Sequence, residues 1–441
     1  MNVVCLNAGY STPDAPAAAL RTIARGLVQR GHEVTVVALD EPGGAPDEAI
    51  DGVRVLRLAP SRPTPLTLWH WLARDGAGRQ DAALALLLRR LFSTRKPDAV
   101  CVHDLGPLTA TAWRICAEAG VPVAQVLHDY RVICERRTLL RQPACALPCD
   151  NCVAAQGQLR AASGRVDAVV GVSRAVLRAH LAAGLFAGAR YEAVIESALD
   201  LAPAPVPPRR RPRLEFGYRG PIAPGSGVET LCATFARLHA AHGDAIRLTV
   251  SGTGNAGTHP WHGNTVGAPR QAIGRDGHHA QAELPGHETP ADDAAHAALL
   301  RARYGRDHGI EFTGPMPARD FHAGLDLSIA PAEWEVPWPT AVIESIGHGV
   351  PVVAARRGAL TEVIAPGVNG LFYEPDAADG LATVLDMLID DPLRIRAMHR
   401  RCRPSIARLL DVERMIDEHE EVIHALTLPR REHARRLHPA D

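Results

Sequence analysis

Lysine is almost missing. Of 48 basic residues only Lys96 is a lysine, and the rest are arginine, a bias of composition that points to no particular function. Aromatic residues make up 4% of the chain, which leaves few platforms on which nucleic-acid bases could stack. The formal net charge is -1, so the chain lacks the positive field that holds a phosphate backbone, and a nucleic-acid partner is excluded. No apolar run reaches the roughly 18 residues that a membrane-crossing helix needs. The opening "MNVVCLNAGY" has no basic stretch ahead of its apolar run and reads as a first strand, not a signal peptide. A cytoplasmic protein is expected, with peripheral contact to the inner membrane face left open by its Arg-rich segments.

What remains is the composition of a globular protein with large cores. Hydrophobic residues make up 46% of 441, and that length favours two domains. In the first half short apolar runs alternate with amphipathic stretches. "NVVCLNA", "HEVTVVAL", "GVRVLRLA", "PDAVCVHD", "VPVAQVLHD", "DAVVGVS" and "YEAVIES" read as strands, while "AAALRTIARGLVQRG" and "DAALALLLRRLFSTR" read as helices. The second half repeats the pattern. Its strands are "LEFGYRG", "IRLTVSG", "IEFTG", "LDLSIAP", "PVVAA" and "GLFYEP", and its helices include "GVETLCATFARLHAAHG", "PTAVIESIGHG" and "LATVLDMLIDD". Such alternation implies parallel sheets with helices on both faces. The expected division is a first α/β domain over 1–200, a Pro/Arg-rich linker over 201–213, a second α/β domain over 214–395, and a C-terminal helix with a basic tail over 396–441. A Gly- and His-rich stretch at about 254–308 reads as a flexible insert, because its histidines match no tight ligand spacing. Two doubly wound domains create a cleft at the carboxyl ends of their strands, where small ligands bind.

Chemistry concentrates in "PAEWEVPWPTAVIESIGHGVPVVAARRGALTEVIAPGVNGLFYEP". Pro339 opens a helix that carries Glu344. In "RRGALTEVI" a strand turns into a helix at Gly358, and the N–H groups of Gly358, Ala359 and Leu360 suit a phosphate. Arg356 and Arg357 flank that turn and offer charge-assisted bonds. Further upstream, "LHDYRVIC" places His128 and Asp129 at a strand end facing the cleft, with His103 in "CVHDLG" one strand earlier. A neutral imidazole there can hydrogen-bond a sugar hydroxyl. Cys134, Cys145, Cys149 and Cys152 have the spacing C-x10-C-x3-C-x2-C. In a reducing compartment this suggests a structural zinc ion, with disulfides, which that compartment disfavours, and free thiols as the alternatives.

The ordered set of motifs, from "RGHEVTVVAL" through "KPDAVCVHDLGPLT", "GVPVAQVLHDYRVIC" and "DAVVGVSRAVLRAHLAAG" to the donor-loop segment, resembles the retaining glycosyltransferases of family 4. The resemblance covers most of Met1 to about Asp390. It implies a GT-B-like fold of two Rossmann-like domains and a nucleotide-sugar donor, UDP- or GDP-linked, in the C-terminal domain. It also implies a glycan or lipid-linked acceptor on the N-terminal side and no catalytic metal. By resemblance Glu344 would hold the nucleotide ribose, and His128 would lie near the reacting sugar.

The sequence departs from the pattern at several places. Val336 stands where the family has its first donor-loop carboxylate, with Glu335 one residue earlier as a substitute. Pro221 and Ser226 stand where two basic donor-diphosphate contacts are usual, with Arg219 nearby on β-strand spacing. The loop after the first strand has only Gly9 in place of a glycine pair. An active transferase and a non-catalytic homologue acting as a nucleotide-binding or scaffold protein are therefore both carried forward.

Overall fold

A computed structural model describes residues 1–12, 14–39, 44–58, 76–134, 137–139, 152–153, 156–202, 213–252 and 290–428. The first domain runs β1 (Asn2–Asn7), α1 (Ala15–Gln29), β2 (Glu33–Leu39), β3 (Asp47–Ile50), β4 (Val53–Leu58), α2 (Gly76–Thr94), β5 (Ala99–Val102), α3 (Thr109–Ala119), β6 (Val123–Leu127), α4 (Gly157–Ala162), β7 (Ala168–Gly171), α5 (Arg174–Ala182) and β8 (Tyr191–Val194). Its sheet has the order β3-β4-β2-β1-β5-β6-β7-β8. All neighbours are parallel except β3 and β4, which pair antiparallel at the edge. The central strands are buried throughout, as strands covered by helices on both faces must be.

The second domain runs β9 (Leu214–Arg219), α6 (Val228–His242), β10 (Ile246–Ser251), α7 (Pro290–Arg303), β11 (Ile310–Phe312), α8 (Ala318–Ala323), β12 (Leu327–Ala330), α9 (Thr340–Gly347), β13 (Val352–Ala355), α10 (Leu360–Val363), β14 (Gly370–Tyr373), α11 (Gly380–Asp390), α12 (Pro392–Ser405) and α13 (Val412–Thr427). Its sheet order is β11-β10-β9-β12-β13-β14, with every pair parallel. Strand order reverses at β1/β5 in the first sheet and at β9/β12 in the second. These reversals leave the crevices where ligands bind such sheets.

The structure adds to and differs from the sequence expectations in several places. Residues 290–303, assigned to the insert, form α7, and Ala297, Leu300 and Tyr304 join the core of the second domain. Residues 254–289 of the insert, most of the linker and the basic tail lie outside the described residues. The boundary at 396 falls inside α12. The last helix, α13, does not stay with the second domain. Ile416 packs so closely on α1 that a Cβ at Gly26 would meet its side chain, and Met415, Val422 and Ile423 join the first domain's core. The short edge strand β3 was not expected, because "DEAI" offers no apolar run and its exposed edge position asks for none.

Candidate functional site

The first domain contributes a cluster of polar side chains at the carboxyl ends of β1, β5 and β6. Buried Asn7 ties two loops together: its Nδ2 donates to the Gly9 carbonyl at 2.6 Å, and its Oδ1 accepts from the Asp104 N–H at 3.0 Å. His103 Nδ1 and His128 Nε2 are 2.9 Å apart, one donating to the other, with the rings stacked at 5.2 Å. Gln125 fixes the backbone beside them, since its Nε2 donates to the His103 carbonyl at 2.8 Å while its Oε1 accepts from Trp113 at 3.0 Å. Burial holds His128 below its ordinary pKa. Burial, and then His128 and His419 as neighbours, hold His103 well below. Both rings are therefore neutral near pH 7. His419 reaches this cluster from α13, and burial lowers its pKa to about 3. Nothing in the sequence signalled that contact, because His419 is 291 residues from His128.

Asp129 is held up by burial and by the neighbouring Asp104, and is opposed by Arg131. Its Oδ1 accepts the Arg131 N–H at 2.8 Å, and Arg137 bridges both carboxylates at 3.4 and 3.6 Å.

The second domain contributes the carboxyl ends of β9 and β12. Arg219, the last residue of β9, forms an ion pair with Glu344 on α9. This is the reach that strand spacing allowed. Burial raises the Glu344 carboxyl, while Arg219, first, and His348 oppose the shift. His348 is one turn further along and its Nδ1 lies 2.7 Å from the Glu344 carbonyl. Its ring stacks at 5.3 Å on buried His322, whose pKa falls to about 3 through burial.

The donor-loop segment is organised differently from the sequence expectation. Glu335 does not stand free for a sugar, because its Oε2 accepts the Gly358 N–H at 2.6 Å. The Ala359 N–H donates to the Val336 carbonyl at 2.8 Å, and the Leu360 N–H to the Arg357 carbonyl at 3.2 Å. All three N–H groups expected at a phosphate thus have acceptors within the chain. Gly358 is required here. Its φ is +49°, and a Cβ would lie 2.6 Å from the Val336 nitrogen.

The flanking arginines are also engaged. Arg357 pairs with Asp376 at 2.9 Å and approaches Glu335 at 3.8 Å. Arg356 turns to Glu374 at 2.6 Å and lies over the Phe372 ring at 4.4 Å, so it belongs to β14 and not to the turn. Val336 is buried among Ala332, Trp338 and Val342. Ser226 is buried, and its Oγ accepts the Val228 N–H at 3.4 Å.

The two halves meet across a cavity of about 210 Å³ whose lining includes Thr22, His128, Asp129, Leu199, Trp338 and Thr340. His128 and the first turn of the helix bearing Glu344 therefore share one space. Three contacts cross near it. Ser173 Oγ donates to the Pro337 carbonyl at 2.8 Å, and the Glu335 N–H donates to the Thr138 carbonyl at 3.2 Å. Both Glu362 oxygens accept N–H groups at the start of α5, Arg174 at 2.9 Å and Ala175 at 2.8 Å. Glu362 thus fills part of the N-terminal cap of a helix in the other domain, where negative charge is favoured. It escaped sequence reasoning because its own short helix explained it locally.

Of the cysteine cluster, Cys134 and Cys152 are buried, whereas Cys145 and Cys149 lie outside the described residues. No helix among the described residues is long and apolar enough to cross a membrane.

The two domains match known families. Residues 15–196 match the glycosyl transferase 4-like domain, and residues 213–391 match glycosyl transferases group 1. An uncharacterised 42.6 kDa protein in the cps region of Klebsiella pneumoniae is 21% identical over 382 residues, covering 82% of this chain and 87% of the relative. Sucrose-phosphate synthase from Thermosynechococcus elongatus superposes with a TM-score of 0.70 at 14% identity, covering 97% of this chain and 99% of that one. Anabaena HepE, solved in complex with UDP and glucose, gives a TM-score of 0.66 at 17% identity, covering 96% of this chain and all of that one. The fold is GT-B, as the sequence implied.

Proposed function

Because the chain belongs to the glycosyl transferases group 1, preceded by a glycosyl transferase 4-like domain, we propose that it moves a sugar from a nucleotide-sugar donor to a glycan or lipid-linked acceptor, with retention of anomeric configuration, in the building of a surface polysaccharide. The observation that carries this reading is the shared cavity, where His128 and Asp129 of one domain face Trp338 and Thr340 at the start of the Glu344 helix in the other. The cps-region relative supports the polysaccharide role. HepE with UDP and glucose favours a UDP-linked donor over a GDP-linked one.

In this reading Glu344 accepts hydrogen bonds from the ribose hydroxyls, and Arg219 keeps that buried carboxylate ionised. His128, neutral and tethered to His103, presents its remaining ring nitrogen to the transferring sugar. The diphosphate competes with Glu335 for the Gly358 N–H, since one donor serves one strong acceptor. Donor binding then releases the Glu335 carboxylate beside the sugar, in place of the one that Val336 lacks. A structural zinc ion on Cys134, Cys145, Cys149 and Cys152 would brace the loop whose Thr138 carbonyl holds the donor segment. It would leave no open position for chemistry.

Buried Val336 and Ser226, and the engagement of Arg356 and Arg357, favour a second reading: a non-catalytic homologue that keeps a nucleotide pocket. Thermal unfolding with UDP, GDP, ADP and dTDP and their sugar conjugates separates the outcomes. A ligand that binds only the folded chain adds about 2.7 kcal/mol at a hundredfold excess over its Kd. We expect UDP and one UDP-sugar to raise Tm and that sugar to be transferred or slowly hydrolysed. A shift without turnover on any acceptor supports the scaffold reading, and no shift in a folded sample removes both.

A further inference from the structure

We propose that His32, Glu420 and His424 form a binding site for a zinc-like divalent metal ion that staples the C-terminal helix α13 to the first domain, remote from the cleft. The three residues come from two elements. His32 occupies the turn between α1 and β2, and Glu420 and His424 are one turn apart on α13, so they share a face. One ligand atom from each lies within 4.8 Å of the others. His32 Nε2 is 2.7 Å from Glu420 Oε1, and His424 Nε2 is 3.7 Å from the same oxygen. Ligands at about 2.0–2.2 Å from a tetrahedral zinc ion stand about 3.3 Å apart, and these two separations straddle that value. Small side-chain rotations therefore suffice.

The rest of the site is arranged for such an ion. The His32 side chain is 8% exposed, and its Nδ1 lies 3.3 Å from the Met1 nitrogen, which leaves Nε2 aimed at α13. Glu420 uses Oε2 for Arg30, at 2.9 Å, and keeps Oε1 for the histidines. A charged neighbour that orients a ligating carboxylate in this way is the usual outer-shell partner of a metal site. Glu413 and Asp417 take the other side of Arg30 and offset its charge. His424 is 58% exposed, so the ion can enter from solvent and the ring can swing onto it. Two imidazoles and a carboxylate suit zinc, with water in the fourth position. The site sits at the amino end of β2, whereas His103, His128 and Arg219 lie at carboxyl ends of strands. A staple is the role that this placement allows.

The alternative is a plain ion-pair cluster, and zinc titration of the metal-free full chain separates the two. Wild type and His424→Ala are compared by calorimetry and thermal unfolding. His424 is exposed, so its removal leaves the fold intact. Wild type is expected to take up one more zinc equivalent than the variant and to gain Tm on loading, while the variant loses both that equivalent and its share of the gain. His32→Gln gives the same loss. With cobalt as probe, the equivalent lost with His424 lacks the thiolate charge-transfer absorption that any ion on the cysteine cluster shows. Equal stoichiometry and equal Tm gain in wild type and His424→Ala would overturn the proposal.

Discussion

The two walls of the cleft combine buried neutral rings and ion pairs in different ways. On the first domain's wall, His103, His128 and His419 are buried as neutral rings, and desolvation holds each below its ordinary pKa. On the second domain's wall, beside the buried neutral His322, the side chains are matched in ion pairs, Arg219 with Glu344 and the more exposed Arg357 with Asp376. The histidine cluster is suited to hydrogen-bonding hydroxyls, while Asp104 and Asp129 beside it are matched by Arg131 and Arg137. On the second wall the carboxylates already have partners, so the proposed diphosphate would have to displace one. On the proposed reading, a turn that lacks two basic residues of the family pattern still offers an anion site. Its anion, the Glu335 carboxylate, is already in place on the Gly358 N–H.

The largest effect is expected where the second wall's Arg219–Glu344 pair is broken. Arg219→Ala leaves Glu344 buried without its counter-charge. Losing a charge-assisted bond of this kind costs about 1.5–3 kcal/mol. Thermal unfolding should show a clear fall in Tm, and donor binding should weaken with it. An unchanged Tm would mean that Glu344 is solvated and the pair is incidental.

Acidification tests the buried neutral histidines of both domains. Burial depresses His180 to about 4 and His322 and His419 to about 3, against an ordinary 6.5. Between those values and 6.5 the unfolded chain binds protons that the folded chain refuses. Stability is therefore complete above about pH 6.5 and falls as pH drops through the window, by on the order of 1 kcal/mol per pH unit for each such histidine. Unfolding measured from pH 7 to pH 4.5 should show this decline, and His419→Leu should make it shallower. A flat profile in wild type would contradict the buried neutral histidines.

A smaller effect tests the bridge between the walls. Glu362→Gln keeps the shape of the cap on α5 but removes its charge. Helix-terminus charge is worth about 0.3–1 kcal/mol at exposed sites. The expected result is a slightly less stable protein whose domains open more readily, read as a larger radius of gyration in small-angle scattering. No change in either quantity would mean that the contact does not hold the cleft. The smallest effect belongs to Arg356→Ala. Its pair with Glu374 is exposed at 49% and 63%, and such pairs contribute about 0–1 kcal/mol. Donor binding should be unchanged, and a strong loss would return Arg356 to the donor site.

Much of this was readable in the chain. The strands of the second sheet read as short apolar or alternating stretches, "LEFGYR" and "IRLTVS" among them, and their order carries the fold. The position of Glu344 about one turn into α9 followed from Pro339 and helix spacing. The reach of Arg219 followed from strand alternation. What the sequence hid are contacts between distant segments and competition for single donors. Glu362 caps a helix 188 residues away. His419 returns from the last helix to the first domain. Glu335 lies one residue from the position expected of a sugar-binding carboxylate, yet the backbone turn at Gly358 claims it. Helix α7 was hidden by the Gly- and His-rich composition ahead of it, although Ala297 and Leu300 have the spacing of a buried face.

The most direct test of the account is a calorimetric titration of UDP into the full chain and into Glu344→Gln, which keeps the side chain's shape but not its charge. The account predicts saturable binding to the wild type and at least about tenfold weaker binding to the variant, as loss of a charge-assisted hydrogen bond implies. Equal binding by both proteins would place the nucleotide away from the Arg219–Glu344 pair and contradict the account.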